Sequence, residues 1–192
     1  PGIPGSKSKY KTFSPKELTG NFYFFSDIEK ILLVLKIINT KMPHIKNVII
    51  DDFQYLMSFE AMDRAKEKSY DKFTEMAQHA YALLKAGGEM RDDIFFIIFT
   101  HSENAGDAIY PKLKIKTIGK MLDNVITLEG LFTYVLFTSI ERDDENGSEY
   151  RFLTNSDGTN TAKTPMGLFQ NISIDNDLNI VLERIKEYNN EN

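Results

Sequence analysis

Apolar residues along this chain follow two spacings, one typical of helices and one typical of buried strands. After a capping box at residues 26–29 (SDIE), an apolar face recurs every three or four residues and ends before Pro43; it comprises Ile28, Ile31, Leu32, Leu35 and Ile38. The continuous apolar run at residues 48–50 follows at once and predicts a central strand buried on both faces. A helix followed by such a strand predicts an α/β fold with a mostly parallel sheet flanked by helices.

The same two spacings continue to the end of the chain. They predict a helix with an apolar stripe at residues 70–84, a second buried strand at 94–99 (IFFIIF), a helix at 117–129, a third buried strand at 132–140, an Asn146-Gly147 hairpin turn, a strand at 149–154 and a final helix at 177–188. Residues 104–117 are polar and predict either a mobile loop or a hairpin. Residues 1–6 (PGIPGS) are interpreted as a cloning remnant, and residues 7–192 as one domain.

The overall composition excludes several functions. The net charge of -5 argues against a generally basic surface for nucleic acid, although not against a local basic patch. The absence of cysteine excludes disulfides, thiolate metal sites and a cysteine nucleophile. No run of about 18 apolar residues occurs. We therefore expect a cytoplasmic protein without a membrane partner.

Two adjacent carboxylates, Asp51 and Asp52, stand directly after the first predicted strand. Open α/β sheets bind their ligands at the carboxyl ends of the strands. In nucleotide-hydrolysing proteins, an Asp at the end of a Walker B strand holds the Mg²⁺ that bridges the phosphates. We therefore predict that Asp51 coordinates Mg²⁺ through water and that Asp52 positions the attacking water. The alternative interpretation is that an Asp at this point caps the next helix.

His101 follows the second predicted strand at nearly the same point. If the two strands are neighbours, its side chain reaches the same edge of the sheet and can contact a terminal phosphate. The alternative is a surface histidine that begins a loop. No H-x-x-x-H spacing occurs, so a metal site built from histidines is not expected.

The phosphate loop that should accompany a Walker B strand is missing. The pattern G-x-x-x-x-G-K-[ST], whose backbone N–H groups cradle phosphates, occurs nowhere in the sequence. The chain is therefore interpreted as the later part of an ATPase, truncated at the N-terminus. On its own it is expected to be inactive.

Lysines give the best signal for nucleic-acid binding. A cluster beside Tyr110 can neutralise phosphates without reading sequence; it comprises Lys112, Lys114, Lys116 and Lys120. The alternative is a solvated polar loop. Lys163 and Arg151 are candidates for charge-stabilising side chains inserted into a neighbour's site, although isolated basic residues more often serve solubility.

Six segments in this order resemble the RecA-like P-loop ATPases of tailed bacteriophages, some of which are associated with single-strand annealing and recombination. They are NVIIDDFQYL, RAKEKSYDKFTEMAQHA, IIFTHSE, KIKTIGKMLDN, LEGLFTYVLFT and TAKTPMGLF. The resemblance implies a RecA-like core, ATP with Mg²⁺ as the ligand and single-stranded DNA as the partner. It places Asp51 and Asp52 at the Walker B carboxylates and His101 at the end of the sensor strand. It places residues 114–120 in a DNA-contacting loop, and Lys163 in a segment that faces the neighbouring subunit's nucleotide.

The resulting prediction is a phage ATPase core that acts on single-stranded DNA in recombination or replication. Asp52, His101 and Lys163 would be catalytic, self-association would complete the site, and the host cytoplasm would be the location. The principal alternative is a non-catalytic DNA-binding or assembly module that keeps the ATPase fold. A further alternative is a structural phage protein that uses the fold as an interaction surface.

Overall fold

The computed structural model of the protein describes residues 10–107, 109–117, 127–143 and 147–191. Three predicted features lie outside the described residues: the cloning remnant at residues 1–6, Lys120 and most of the helix at 117–129.

The chain divides into two compact units. The first comprises Pro1–His101 and Thr117–Val125, and the second Ser102–Lys116 and Ile126–Asn192. Each unit contains its own sheet or sheets. The expectation of one domain stays a prediction.

The first unit combines three helices with a pair of parallel strands. Its elements are α1 (Ile28–Lys41), β1 (Asn47–Ile50), α2 (Phe53–Asp63), α3 (Asp71–Gly88) and β2 (Phe95–Ile98). Helix α1 begins one residue later than the predicted capping box places it, because the carboxylate of Asp27, rather than the hydroxyl of Ser26, caps the helix by accepting a hydrogen bond from the Lys30 amide. The apolar faces of the helices supply the core, in which Phe53, Met57 and Leu83 are fully buried.

Strands β1 and β2 run in parallel and in register, with Ile50 opposite Ile98, so both end at the same edge. Burial alternates along β1: Val48 is buried, whereas Ile49 is 50% exposed. The prediction of a strand buried on both faces is therefore wrong. An apolar run shows that a strand is favourable, but it does not show whether a second layer covers the other face.

The second unit is built from antiparallel strands. Its elements are β3 (Ser102–Asn104), β4 (Leu113–Ile115), a 3₁₀ helix (Leu128–Leu131), β5 (Phe137–Asp143), β6 (Gly147–Leu153), β7 (Ser173–Asp175) and α4 (Leu178–Glu191). Strands β3 and β4 form a hairpin, which confirms the hairpin alternative for the polar segment after β2. Strands β5, β6 and β7 form one antiparallel sheet. Asp143 pairs with Gly147, so β5 and β6 form a hairpin, whereas Asn146 of the predicted Asn-Gly turn lies outside the described residues.

The predicted RecA-like fold with a mostly parallel sheet is wrong. Within the described ranges the strands form three small sheets of two, two and three strands, and only β1 and β2 are parallel. Strand β5 overlaps the strand predicted at residues 132–140 only over residues 137–140, and the prediction that it is buried is wrong, since Ile140 is 54% exposed. It pairs with β6 as a hairpin. A local hairpin satisfies the backbone groups of β5 without the long crossover that a parallel partner needs.

Candidate functional site at the carboxyl ends of the parallel strands

Asp52 lies between the end of β1 and the start of α2 and adopts a left-handed backbone conformation, with φ 54° and ψ 45°. It occupies the N-cap position of α2, yet its side chain makes no capping hydrogen bond. Its carboxylate Oδ1 lies instead 3.3 Å from His101 Nε2. A left-handed conformation costs an L-residue roughly 1–2 kcal/mol, and such strain concentrates at functional sites.

His101 follows β2 and brings an imidazole to the same edge as Asp52. The two side chains are 59% and 56% exposed, and they form an ion pair when the ring is protonated. The Tyr55 ring lies edge-on to the imidazole, with 6.1 Å between the ring centroids. The structure thus brings together two of the residues that the sequence singles out, which stand 49 positions apart.

Gln54 links the two strand ends, and the sequence reasoning missed it. Its side chain is 4% exposed, and its Oε1 accepts hydrogen bonds from Thr100 Oγ1 (2.9 Å) and from the His101 amide (3.2 Å). Its Nε2 lies 3.5 Å from Asp52 Oδ1. The available signal was a polar side chain between Phe53 and Tyr55, in the apolar first turn of α2.

Asp51 is exposed and makes no side-chain hydrogen bond or ion pair with the described residues. Its oxygens are therefore open to a ligand. Mg²⁺ usually takes one or two protein carboxylates and completes its shell with phosphate oxygens and water, so Asp51 and Asp52 are donors of the right chemistry. No group of three or more His, Cys, Asp or Glu side chains that could hold a metal ion occurs in the part of the chain that the structure describes.

Three glutamates on and between α2 and α3 are engaged in ion pairs. Arg64 Nη2 lies 2.8 Å from Glu67 and 2.6 Å from Glu75, and its Nη1 lies 3.1 Å from Glu60. Hydrogen bonds from Arg64 hold the pKa of Glu67 below its ordinary value. His79 Nδ1 also lies 2.9 Å from Glu60. These groups stabilise the α2–α3 connection, whereas the carboxylates of Asp51 and Asp52 at the end of β1 face solvent.

Three of the four predicted DNA-binding lysines lie on or beside β4. Lys112, Lys114 and Lys116 alternate along an extended segment, so they share one face. Lys114 Nζ lies 3.2 Å from Glu103 Oε1 on the opposite strand, while Lys112 and Lys116 are exposed.

The loop of this hairpin is ordered by side-chain acceptors. Asn104 Oδ1 accepts from the amides of Gly106 (2.9 Å) and Lys112 (3.0 Å). Asp107 Oδ1 accepts from the Tyr110 amide at 2.7 Å. A Cβ at Gly106 would lie 2.0 Å from the Tyr110 carbonyl oxygen, so only glycine fits. The loop presents Tyr110 with 76% of its surface exposed.

Lys163 belongs to the second unit, whereas Asp51, Asp52 and His101 belong to the first. Its backbone pairs with Val135 in both directions, at 2.8 and 2.9 Å. Its ammonium makes no hydrogen bond or ion pair with the described residues, and the nearby Met166 is 96% exposed. Arg151, the other candidate, is held by Asp175 and is a sheet residue.

Comparison of the chain with protein-family models, curated proteins and solved structures found no match. Among the described residues, none of the helices has the length and apolar character needed to span a bilayer.

Proposed function

We propose that the carboxyl ends of β1 and β2 form the metal-facing half of a site for Mg²⁺-dependent ATP hydrolysis, in a protein that acts on single-stranded DNA. One observation carries the proposal: Asp52 and His101 lie 3.3 Å apart at the ends of adjacent parallel strands, and the buried Gln54 holds both ends.

Each side chain of the site has a separate role in positioning the cation, the imidazole or the phosphate. Asp51 offers free oxygens to the cation, and bound Mg²⁺ supplies charge neutralisation at the phosphates. Asp52 orients the imidazole of His101 through Nε2, which leaves Nδ1 to face water or a phosphate oxygen. Gln54 keeps the backbone of His101 at a constant distance from Asp52. Phosphoryl transfer depends mainly on such positioning and electrostatics, so rigid strand ends suit it.

The β3–β4 hairpin supports the DNA part of the proposal. It presents two exposed lysines, Lys112 and Lys116, and the exposed ring of Tyr110. Lysines on a strand neutralise phosphates, and an exposed aromatic ring can stack on a base. Lys163, whose ammonium faces no described acid, is proposed to stabilise charge at the site of a second copy.

The test is steady-state hydrolysis of Mg-ATP by the full-length natural protein and its variants. We expect Asp51→Asn and His101→Gln to lower kcat/KM by roughly 100-fold or more, the usual effect of removing a group that stabilises transition-state charge. Asp92→Asn is the matched control, because Asp92 is an exposed carboxylate of the same unit without side-chain contacts to the described residues. Wild-type turnover in both site variants would contradict the proposal.

A further inference from the structure

One face of helix α2 presents large apolar side chains to solvent. Tyr55, Phe59 and Met62 are 43%, 46% and 74% exposed. They stand four and then three positions apart, so they share one face of the helix. Leu56 and Met57 supply the buried face of α2. The three exposed residues, named here the α2 stripe, therefore leave much of their apolar surface outside the core, and such surfaces mark interaction sites.

The α2 stripe begins at the candidate site and leads away from it. The Tyr55 ring is edge-on to the His101 imidazole, with an interplanar angle of 87° and 6.1 Å between the ring centroids. His101 Nε2 lies in turn 3.3 Å from Asp52 Oδ1. Because an α-helix rises about 1.5 Å per residue, Phe59 lies roughly 10 Å along α2 from Asp52. The surface therefore passes from carboxylate to imidazole to aromatic rings.

The rings of Tyr55 and Phe59 are stacked on each other. Their centroids lie 5.7 Å apart, and their planes are 29° from parallel. Each side chain keeps nearly half of its surface exposed, so a third flat ring can extend the stack. Met62 follows one turn later, and a methionine sulfur makes favourable contacts with the edge of an aromatic ring. This geometry suits a flat heteroaromatic ligand.

The charged groups around the α2 stripe are acidic or already paired. Asp51 and Asp52 are exposed before its start, and Asp63 is exposed at its end. Glu60 of the same helix is held by Arg64 at 3.1 Å. The phosphates of a ligand therefore belong at the ends of the strands, where Mg²⁺ offsets the carboxylates, and the part of the ligand that lies on the stripe should be uncharged.

We propose that the α2 stripe binds the base of a nucleoside triphosphate whose phosphates lie at the carboxyl ends of β1 and β2. The inference rests on the function proposed above and names the class of its substrate. A nucleotide carries anionic phosphates at one end and an uncharged flat base at the other, which matches the order of acidic and aromatic groups along α2. Stacking uses the face of a base and not its edge. The site therefore accepts adenine and guanine alike, and it prefers purines to pyrimidines because the larger rings cover more of the stripe.

The test compares hydrolysis of Mg-ATP, Mg-GTP, Mg-CTP and inorganic tripolyphosphate by the full-length natural protein and its Phe59→Ser variant. Tripolyphosphate carries the phosphates without a base. Phe59→Ser should lower kcat/KM for ATP and GTP about tenfold, as expected for one lost base–aromatic stack, and leave kcat/KM for tripolyphosphate unchanged. Tyr81→Ser is the matched control, because Tyr81 is a similarly exposed aromatic residue (39%) on α3.

A second variant guards against misfolding. If Phe59→Ser also loses tripolyphosphate hydrolysis, Phe59→Leu gives the same comparison, because leucine keeps the apolar contact with α2 and removes the flat ring. Equal losses of kcat/KM for ATP and for tripolyphosphate in Phe59→Leu would overturn the inference. So would self-association of the wild type in sedimentation that Phe59→Ser abolishes, because the stripe would then be a protein interface.

Saturation-transfer NMR with adenosine separates this inference from the proposed hydrolysis, because adenosine has no phosphate and needs no Mg²⁺. We expect transfer to the adenine protons from the wild type and from Tyr81→Ser, but not from Phe59→Ser. If ATP is not hydrolysed while this difference holds, the proposed hydrolysis fails and the base site is supported. No transfer from the wild type, or equal transfer from the wild type and Phe59→Ser, would overturn the base site and leave the hydrolysis to its own test.

Discussion

At the scale of single residues, Gln54 decides the geometry of the candidate site. A buried amide that serves two donors at once fixes the backbone after β2 relative to α2. Burying such a group is favourable only when its hydrogen bonds are formed. The Thr100 hydroxyl and the His101 amide likewise need Gln54 as their acceptor. Asp52, whose backbone is strained, lies beside the same amide.

Gln54→Met tests this dependence. The substitution keeps the length and shape of the side chain but leaves the Thr100 hydroxyl and the His101 amide without their acceptor. We expect the free energy of unfolding to fall by about 1–3 kcal/mol and the His101 amide to exchange faster with solvent. Urea unfolding and hydrogen exchange measure the two effects. Gln78→Met, at an exposed position of α3, should change neither, and equal effects of the two substitutions would show that Gln54 has no special role.

At the scale of elements, Arg91 joins helix α1 to the strand pair. Its guanidinium donates to the carbonyls of Ile38 (2.9 Å), Asn39 (3.1 Å) and Ile45 (2.7 Å), and so satisfies the end of α1 and the loop that leads to β1. Its Nε lies 2.7 Å from Asp93, which also pairs with Lys46. The entries to β1 and β2 are thus tied by one charged junction.

This junction predicts a pH dependence. Hydrogen bonds from Lys46 and then from Arg91 lower the pKa of Asp93 to about 2. Because its pKa is lower in the folded state, the ionised carboxylate stabilises the fold at pH values above 3.8, the ordinary pKa of this group. That contribution is lost as the pH falls toward 2.

We expect Asp93→Asn to be less stable than the wild type at pH 5, and the difference to shrink as the pH is lowered. Urea midpoints at a series of pH values between 5 and 2.5 measure it. Asp92→Asn is the control and should follow the wild-type curve. A constant difference between Asp93→Asn and wild type across this range would exclude the linkage.

At the scale of the whole molecule, charge is distributed unevenly. The chain is acidic overall, with a net charge of -5, so nonspecific attraction to a nucleic acid has to come from local groups. The exposed lysines of the β3–β4 hairpin are such a group. Affinity that depends on phosphate contacts falls with salt in proportion to the number of contacts.

The double variant Lys112→Gln, Lys116→Gln should therefore reduce the slope of log K against log salt by about 1.4 for single-stranded DNA, about 0.7 for each phosphate contact. The control is Lys66→Gln, Lys68→Gln, in which two exposed lysines of the first unit are replaced. Each variant removes two positive charges and changes the net charge from -5 to -7, so the two variants differ only in where the lysines are replaced. Equal slopes in the two variants would show that the change in slope comes from the net charge and not from the position of Lys112 and Lys116.

Local patterns in the sequence were sufficient for α1, α3 and α4 and for the approximate positions of β1, β2 and β6, but not for α2 or β7. The start of α1 to within one residue, the stripe of α3 and the runs before Asp51 and His101 depend on neighbouring residues, whose preferences act over a few positions. The pairing of β1 with β2 brought Asp52 and His101 together as their places after two strands suggested.

Only the tertiary structure decided the sheet arrangement and the support of the site. An apolar run is compatible with a parallel or an antiparallel neighbour, and the choice at β5 depended on which backbone partner lay within reach. Likewise, Gln54 became a linking residue because folding placed its amide beside two donors 46 and 47 positions away. Such contacts are set by distances in space, and a linear pattern does not contain them.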